Sequence, residues 1–143
     1  GSCDPDTFHR MFGVNVLGAL LVTEAFADHL RKGSHRKVVS VSSTNGSLTA
    51  PLPGASIYYK ASKAALNRAM ICVAEALRPE GIAVAMLHPG AVRTEKNLEH
   101  GAGNYPGLIE TPFSVEGMMG VIDRLTIENT GRFYNYDSGF APW

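Results

Sequence analysis

Tyr59 and Lys63 are the residues of this sequence best suited to moving protons, because they lie four positions apart in a predicted helix. Residues i and i+4 share one face of a helix, so the two side chains can meet. A free tyrosine phenol ionises near pH 10, and an ammonium group within about 4–6 Å stabilises the phenolate. The pair can therefore act as a general acid in one direction and a general base in the other. Tyr58 has the uncharged Ser62 at i+4, so Tyr59 is favoured over Tyr58 as the acid/base residue.

This spacing alone is also typical of a half-buried tyrosine beside a solvated lysine. Three further features favour a functional site. Ser42 and Ser43 close a predicted strand, and residues 89–94 follow the next one. Both segments then lie at the carboxyl ends of strands, where open α/β sheets bind ligands. Asn15 lies inside a predicted helix, where such a residue is unfavourable without a partner. A hydrogen bond from the Asn15 side chain to a neighbouring backbone carbonyl would also explain its presence in the helix.

The elements that must position these residues follow from periodicity and turn residues. Apolar residues at helical spacing predict helices, and short β-branched or apolar runs predict strands. In order, the sequence predicts a helix 5–32, a strand 37–43, a loop 44–56, a helix 57–77, a strand 82–87, an irregular excursion 91–113, a helix 114–125 and a strand 132–136. Strands separated by helices pair in parallel, so we expect an α/β layered fold with about three strands. The strand 37–43 is apolar, and we expect it to form an exposed edge.

Composition narrows the classes of protein that this sequence can represent. The 143 residues are enough for a single domain with a core. Lys and Arg together number 13, as do Asp and Glu, which argues against broad binding to nucleic acid or an anionic membrane. No uninterrupted apolar run reaches about 18 residues, so no membrane span is expected. Two cysteines are too few for a disulfide framework, and we expect a reducing, cytoplasmic location. No metal site is predicted.

Taken together, these motifs resemble the short-chain dehydrogenase/reductase family along nearly the whole chain. The matching segments are residues 14–18 (VNVLG), 39–43 (VSVSS), 59–67 (YKASKAALN) and 89–94 (PGAVRT). The ending, residues 131–137 (GRFYNYD) with a final Pro142-Trp143, looks like the subgroup of C-factor and sniffer-type carbonyl reductases. The resemblance implies the carboxyl-terminal part of a Rossmann-like, doubly wound parallel sheet. It also implies an NAD(P)-dependent oxidoreductase that interconverts a carbonyl and a secondary alcohol.

The resemblance also implies a role for each matching residue. Tyr59 would be the acid/base, and Lys63 would support it and bind the nicotinamide ribose. Ser43 would hold the substrate oxygen, with Ser42 the less favoured choice, and Asn15 would hold a water that joins Lys63 to solvent. Four residues of the segment after the second strand would line the nicotinamide: Pro89, Gly90, Val92 and Thr94. Two departures from the family are a longer loop between Ser43 and Tyr59, and residues 94–97 (TEKN), which replace a methionine and paired glycines.

The family's glycine-rich, phosphate-binding turn has no counterpart in this sequence. No Gly-x-x-x-Gly-x-Gly follows an early strand, so we expect the amino-terminal dinucleotide-binding half to be absent and cofactor binding to be weak. The subgroup favours NADP over NAD, although the discriminating residues lie in that half. We expect a homodimer or homotetramer formed through helices 5–32 and 57–78, and a small carbonyl or alcohol as substrate. The alternative is a non-catalytic α/β module that acts in oligomerisation or is an inactive remnant.

Overall fold

The computed structural model describes residues 3–50, 56–99, 105 and 107–143. Its three strands are β1 (Lys37–Val41), β2 (Ala83–His88) and β3 (Arg132–Asn135), and they form one parallel sheet in the order β1-β2-β3. Lys37 pairs with Ala83, and Ala85 pairs with Arg132. The predicted α/β fold with three parallel strands is confirmed.

Helices lie between the strands at nearly the predicted positions. They are α1 (Pro5–Phe12), α2 (Gly18–Lys32), α3 (Ile57–Leu77), α4 (Glu95–Glu99) and α5 (Thr111–Arg124). The start of α5 was predicted three residues too late, because Pro112 was assigned to the preceding excursion. A proline in the first turn is compatible with a helix, since the N–H that it lacks has no helical partner there. The excursion 91–113 contains α4 and a parallel bridge between Val92 and Ile109, so it is less irregular than expected.

A π-helical turn at Gly13–Leu17 joins α1 to α2. The sequence predicted one regular helix over 5–32, and the helical path is indeed continuous, but its hydrogen-bond spacing widens around Asn15. Such turns are rare and occur frequently at functional sites.

The sheet carries a hydrophobic core on each face, as expected for a doubly wound fold. Residues from α3 pack on one face with alternate residues of the strands: Leu66, Met70, Ala74, Val84, Met86 and Phe133. Residues from α5 pack on the other face: Ala83, Ala85, Leu87, Val121, Leu125 and Tyr134. Because successive residues of β2 point to opposite faces, both cores depend on this strand, which is buried from Ala83 to Leu87.

The side of the sheet beyond β1 is open in the described part of the chain. The end of β1 is exposed at Val41, and the α1–α2 stretch has no buried residue. Judged by length and composition alone, the helical stretch Pro5–Lys32 could cross a membrane, with a mean hydropathy of 1.4 over 18 residues. A helix that docks on protein passes the same test, and Val16, Ala19 and Leu20 pack on the core.

The final residues fold back onto the loop that follows β1. The carbonyl oxygen of Trp143 accepts hydrogen bonds from the Thr49 amide (2.8 Å) and the Ser47 hydroxyl (2.7 Å). The Trp143 ring packs against Phe133, with 5.7 Å between ring centroids. The tail is therefore tied both to the core and to the loop that begins just after Ser43.

Candidate active site

A cleft opens at the carboxyl ends of β1 and β2. Ser43 follows β1, Pro89 and Gly90 follow β2, and Tyr59 reaches the cleft from the first turn of α3. Val92 and Thr94 line the same cleft, which encloses about 310 Å³ in this part. Parallel strands present their carboxyl ends at one edge of the sheet, and this explains why segments far apart in sequence converge here.

The two adjacent tyrosines have different surroundings. Tyr59 lines the cleft, and the Nζ atom of Lys63 lies 5.9 Å from the centroid of its ring. The Tyr58 hydroxyl instead accepts a hydrogen bond from the Asp4 amide at 2.6 Å, and its ring packs edge-on against Phe8. Tyr58 therefore ties α1 to α3, and of the two adjacent tyrosines Tyr59 is the one that lines the cleft.

Lys63 extends towards β1 rather than into the cleft. Its Nζ donates a hydrogen bond to the Val41 carbonyl oxygen at 3.0 Å. Together with Asn15 it lines a separate groove of about 380 Å³ along β1. Burial lowers the pKa of the Lys63 ammonium from its ordinary value of 10.5, because a charged group loses hydration there.

Asn15 contacts α3 through a buried serine. The Asn15 side-chain amide donates to the Ser62 hydroxyl (2.9 Å), and this hydroxyl donates to the Tyr59 carbonyl oxygen (2.8 Å). Ser62 is fully buried. The chain of bonds connects the π-helical turn with the turn of α3 that carries Tyr59 and Lys63. The predicted water-holding role of Asn15 stays a prediction.

Ser42 and Ser43 differ in the partners of their hydroxyl groups. Ser42 donates to the Asn67 side-chain oxygen at 2.6 Å, and both residues are buried. The Ser43 hydroxyl accepts from the Asn45 amide at 3.1 Å and so caps a short turn. An accepting hydroxyl keeps its own proton for another partner, so the Ser43 hydroxyl can still donate a hydrogen bond, whereas the Ser42 hydroxyl already donates to Asn67.

The turn after β2 is held in place by its neighbours. Gly90 has φ = +84°, and a Cβ atom there would come within 2.8 Å of Ile109 Cδ1. The buried Ser114 hydroxyl donates to the Pro89 carbonyl oxygen at 2.6 Å. Ser114 was predicted only as a helix start, so its role as a support for this turn was missed.

His88 and Asn97 also line the cleft, although sequence reasoning assigned neither to the site. His88 is the last residue of β2. Its position at the end of β2, one residue before the Pro89-Gly90 turn, was the available signal. Burial lowers the pKa of His88 from its ordinary value of 6.5, and Asp137 opposes the shift more weakly, so the environment favours the neutral imidazole.

Comparison with known proteins gives a consistent result. The family model for the short chain dehydrogenase matches residues 2–104. The C-signal of Myxococcus xanthus is 41% identical over the full length of this chain, which spans 82% of that protein.

Among solved structures, the NADPH-bound carbonyl reductase from chicken fatty liver superposes with a TM-score of 0.88 and is 27% identical. The carbonyl reductase Sniffer of D. melanogaster gives a TM-score of 0.87 at 23% identity, a likeness of fold. This chain is covered to 99% in both comparisons, yet it spans only 59% of either structure.

Proposed function

Since the chain belongs to the short-chain dehydrogenase family, we propose that it carries the proton-transfer site of an oxidoreductase that interconverts a carbonyl compound and a secondary alcohol. The observation that carries the proposal is the convergence of Tyr59, Ser43 and the Pro89–Thr94 segment on one cleft. A proton donor, a hydrogen-bond donor and a surface for a redox cofactor are the three parts that this reaction needs.

The chemistry assigned to the protein is a proton transfer. During reduction, the Tyr59 hydroxyl donates its proton to the substrate oxygen, and the Ser43 hydroxyl holds that oxygen by a hydrogen bond. During oxidation, the phenolate of Tyr59 takes the proton back. Lys63 stabilises the phenolate by its positive charge, and the Val41 carbonyl oxygen holds the ammonium in place. A bound nicotinamide supplies or accepts the hydride.

The residues of the cleft fit the nicotinamide end of such a cofactor. Pro89 and Val92 offer apolar surface to a ring, and the Thr94 hydroxyl offers a polar group to its carboxamide. Because Gly90 lacks a side chain, the backbone of the turn can lie close to a ligand. The sequence has no recognisable glycine-rich phosphate turn, so we expect weak binding. The NADPH bound by the chicken enzyme makes NADPH the first cofactor to test.

Steady-state assays of this chain with millimolar NADPH or NADH and a carbonyl panel test the proposal. We expect Tyr59→Phe to lower turnover by at least about 100-fold, the usual contribution of a general acid. Tyr58→Phe is the matched control and should retain turnover, because Tyr58 contacts Asp4 and Phe8. Turnover that survives Tyr59→Phe contradicts the mechanism. A folded chain without turnover or cofactor binding favours the non-catalytic module.

We also propose that the chain self-associates through the face of α1–α2, together with α3. Apolar side chains at helical spacing are more than half exposed on this face: Val14, Leu17, Leu21, Val22 and Phe26. Monomeric proteins rarely expose an apolar patch of this extent. Sedimentation of the wild type should show a dimer or tetramer, and Leu21→Asp should shift it to the monomer. A wild type that sediments as a monomer at every concentration contradicts the proposal.

A further inference from the structure

The cleft has two lobes that share Tyr59. One is the part already described, which we call the proximal lobe, of about 310 Å³ and bordered by Val92 and Thr94. The other, the distal lobe, encloses about 480 Å³ and extends past Thr44 towards Tyr105 and Leu108. Ser43, His88, Gly90 and Asn97 border both lobes. If the proximal lobe receives the nicotinamide, the distal lobe is left to the substrate.

Neutral hydrogen-bonding groups dominate the lining of the distal lobe. Seven of its side chains carry such groups: Ser43, Thr44, Asn45, Tyr59, His88, Asn97 and Tyr105. No Asp, Glu, Lys or Arg occurs among the described residues that line it. Burial also disfavours the charged form of the His88 imidazole.

Two of these groups are held in place before any ligand arrives. The Asn97 side-chain amide donates to the Val92 carbonyl oxygen at 2.7 Å, and its backbone amide donates to the Thr94 hydroxyl at 3.2 Å. The Thr44 hydroxyl lies 3.4 Å from His88 Nε2. Thr44 directly follows Ser43, so its hydroxyl lies one residue from the group that holds the substrate oxygen. Fixed polar groups bind a matching ligand at little cost in entropy.

This lining distinguishes three kinds of carbonyl compound. A carboxylate would lose its hydration without meeting a positive charge, which is unfavourable. An alkyl chain would displace water from polar groups and leave them without partners. A hydroxyl or amide group near the carbonyl would replace the displaced water, and the volume of about 480 Å³ lies within the range of small-molecule sites.

We propose that the distal lobe selects compact, uncharged carbonyl compounds that carry a hydroxyl or amide group close to the carbonyl. Thr44 and Asn97 are the specificity-determining residues. This inference rests on the proposed function, since it assigns the reacting carbonyl to Tyr59 and Ser43. It goes further by naming the substrate class and the residues that recognise it.

Three ligands of similar size provide the test: 1-hydroxy-2-butanone, 2-pentanone and 2-oxobutanoate. Their affinities are measured by amide chemical shifts in two-dimensional NMR spectra, with and without NADPH, and the Thr44 and Asn97 amides report binding in the lobe. We expect the hydroxyketone to bind about tenfold more tightly than the alkyl ketone, the effect of one or two hydrogen bonds. The oxo acid should bind most weakly. Equal affinities, tighter binding of the oxo acid, or no binding of the hydroxyketone overturns the inference.

Variants connect the selectivity with the named residues. Thr44→Val and Asn97→Leu should bring the affinity ratio of hydroxyketone to alkyl ketone close to one. Thr7→Val makes the same change as the first variant on α1 and should leave the ratio as in the wild type. A ratio that both cleft variants leave unchanged overturns the assignment to these residues.

The outcomes separate this inference from the proposed function. Turnover of the alkyl ketone that depends on Tyr59, without preference for the hydroxyketone, refutes the inference and supports the function. Selective binding of the hydroxyketone without turnover supports the inference and contradicts the proposed function.

Discussion

The Nζ atom of Lys63 donates a hydrogen bond to the carbonyl oxygen of Val41, with 3.0 Å between the two atoms. Val41 is the last residue of β1, and Ser42 and Ser43 follow it directly. One side chain of α3 therefore approaches Tyr59 and also holds the strand end from which Ser43 emerges. The position of the lysine connects the proposed acid/base with the proposed substrate-binding serine.

The partly buried position of Lys63 predicts a pH dependence of stability. Its pKa is lowered by burial, so between the folded-state pKa and 10.5 the unfolded chain binds more protons. The free energy of unfolding contributed by this group then rises as the pH increases through that window. Chemical denaturation at several alkaline pH values should show a smaller rise for Lys63→Met than for wild type. An identical rise in both proteins would refute this assignment.

Gly46 is predicted to be essential for placing the loop that carries Ser43 against α3. A Cβ atom at Gly46 would lie 2.6 Å from the Lys63 backbone carbon and 2.8 Å from the Ala64 amide nitrogen. Backbone atoms of a helix cannot move aside easily, so Gly46→Ala should destabilise the fold by about 1–3 kcal/mol. It should also lower turnover.

Gly13→Ala is the control for this change, because no atom lies within 4 Å of a Cβ built at Gly13. Its midpoint of urea denaturation should not fall below that of the wild type, because alanine replaces glycine in a helical conformation there. The prediction is wrong if the two variants unfold at the same urea concentration.

Ser62 is predicted to contribute to stability through its two buried hydrogen bonds. Ser62→Ala removes the acceptor of the Asn15 amide and the donor to the Tyr59 carbonyl oxygen. The Tyr59 carbonyl oxygen keeps its backbone partner within α3, so the loss falls on the Asn15 amide, and leaving such a donor without a partner costs about 1–3 kcal/mol. Ser34→Ala, an exposed serine, should change the free energy of unfolding by no more than about 0.5 kcal/mol. Equal thermal midpoints for the two variants would exclude this role.

His88 is predicted to make the fold sensitive to mild acid. Burial lowers the pKa of His88, so as the pH falls below 6.5 the unfolded state takes up the proton first. Stability should therefore decrease from pH 6.5 down to the folded-state pKa and then level off with respect to this group. Denaturation curves at pH 7.5 and 5.5 should differ less for His88→Asn than for wild type. The exposed His9→Asn should keep the wild-type difference.

Strong local patterns made much of the fold predictable. The apolar run of β2 and the long periodic pattern of α3 were recognised almost to the residue, because both elements form the core. The meeting of Ser43, Tyr59 and the Pro89-Gly90 turn followed from one rule about parallel sheets. Features that depend on contacts between distant residues were not predictable.

The π-helical turn is the clearest case of such a feature. Asn15 bonds to Ser62, 47 residues later, and no local pattern specifies this partner. The contact of Lys63 with Val41 depends in the same way on how α3 packs beside β1. Asn97 was missed because its place in the cleft depends on the path of the chain after β2.

The contact between Trp143 and the loop at Ser47 and Thr49 matters for protein engineering. An affinity tag or fluorescent fusion joined after Trp143 would disturb these hydrogen bonds and, through them, the loop that follows Ser43. Kinetic constants should therefore be measured on material from which such a tag has been cleaved.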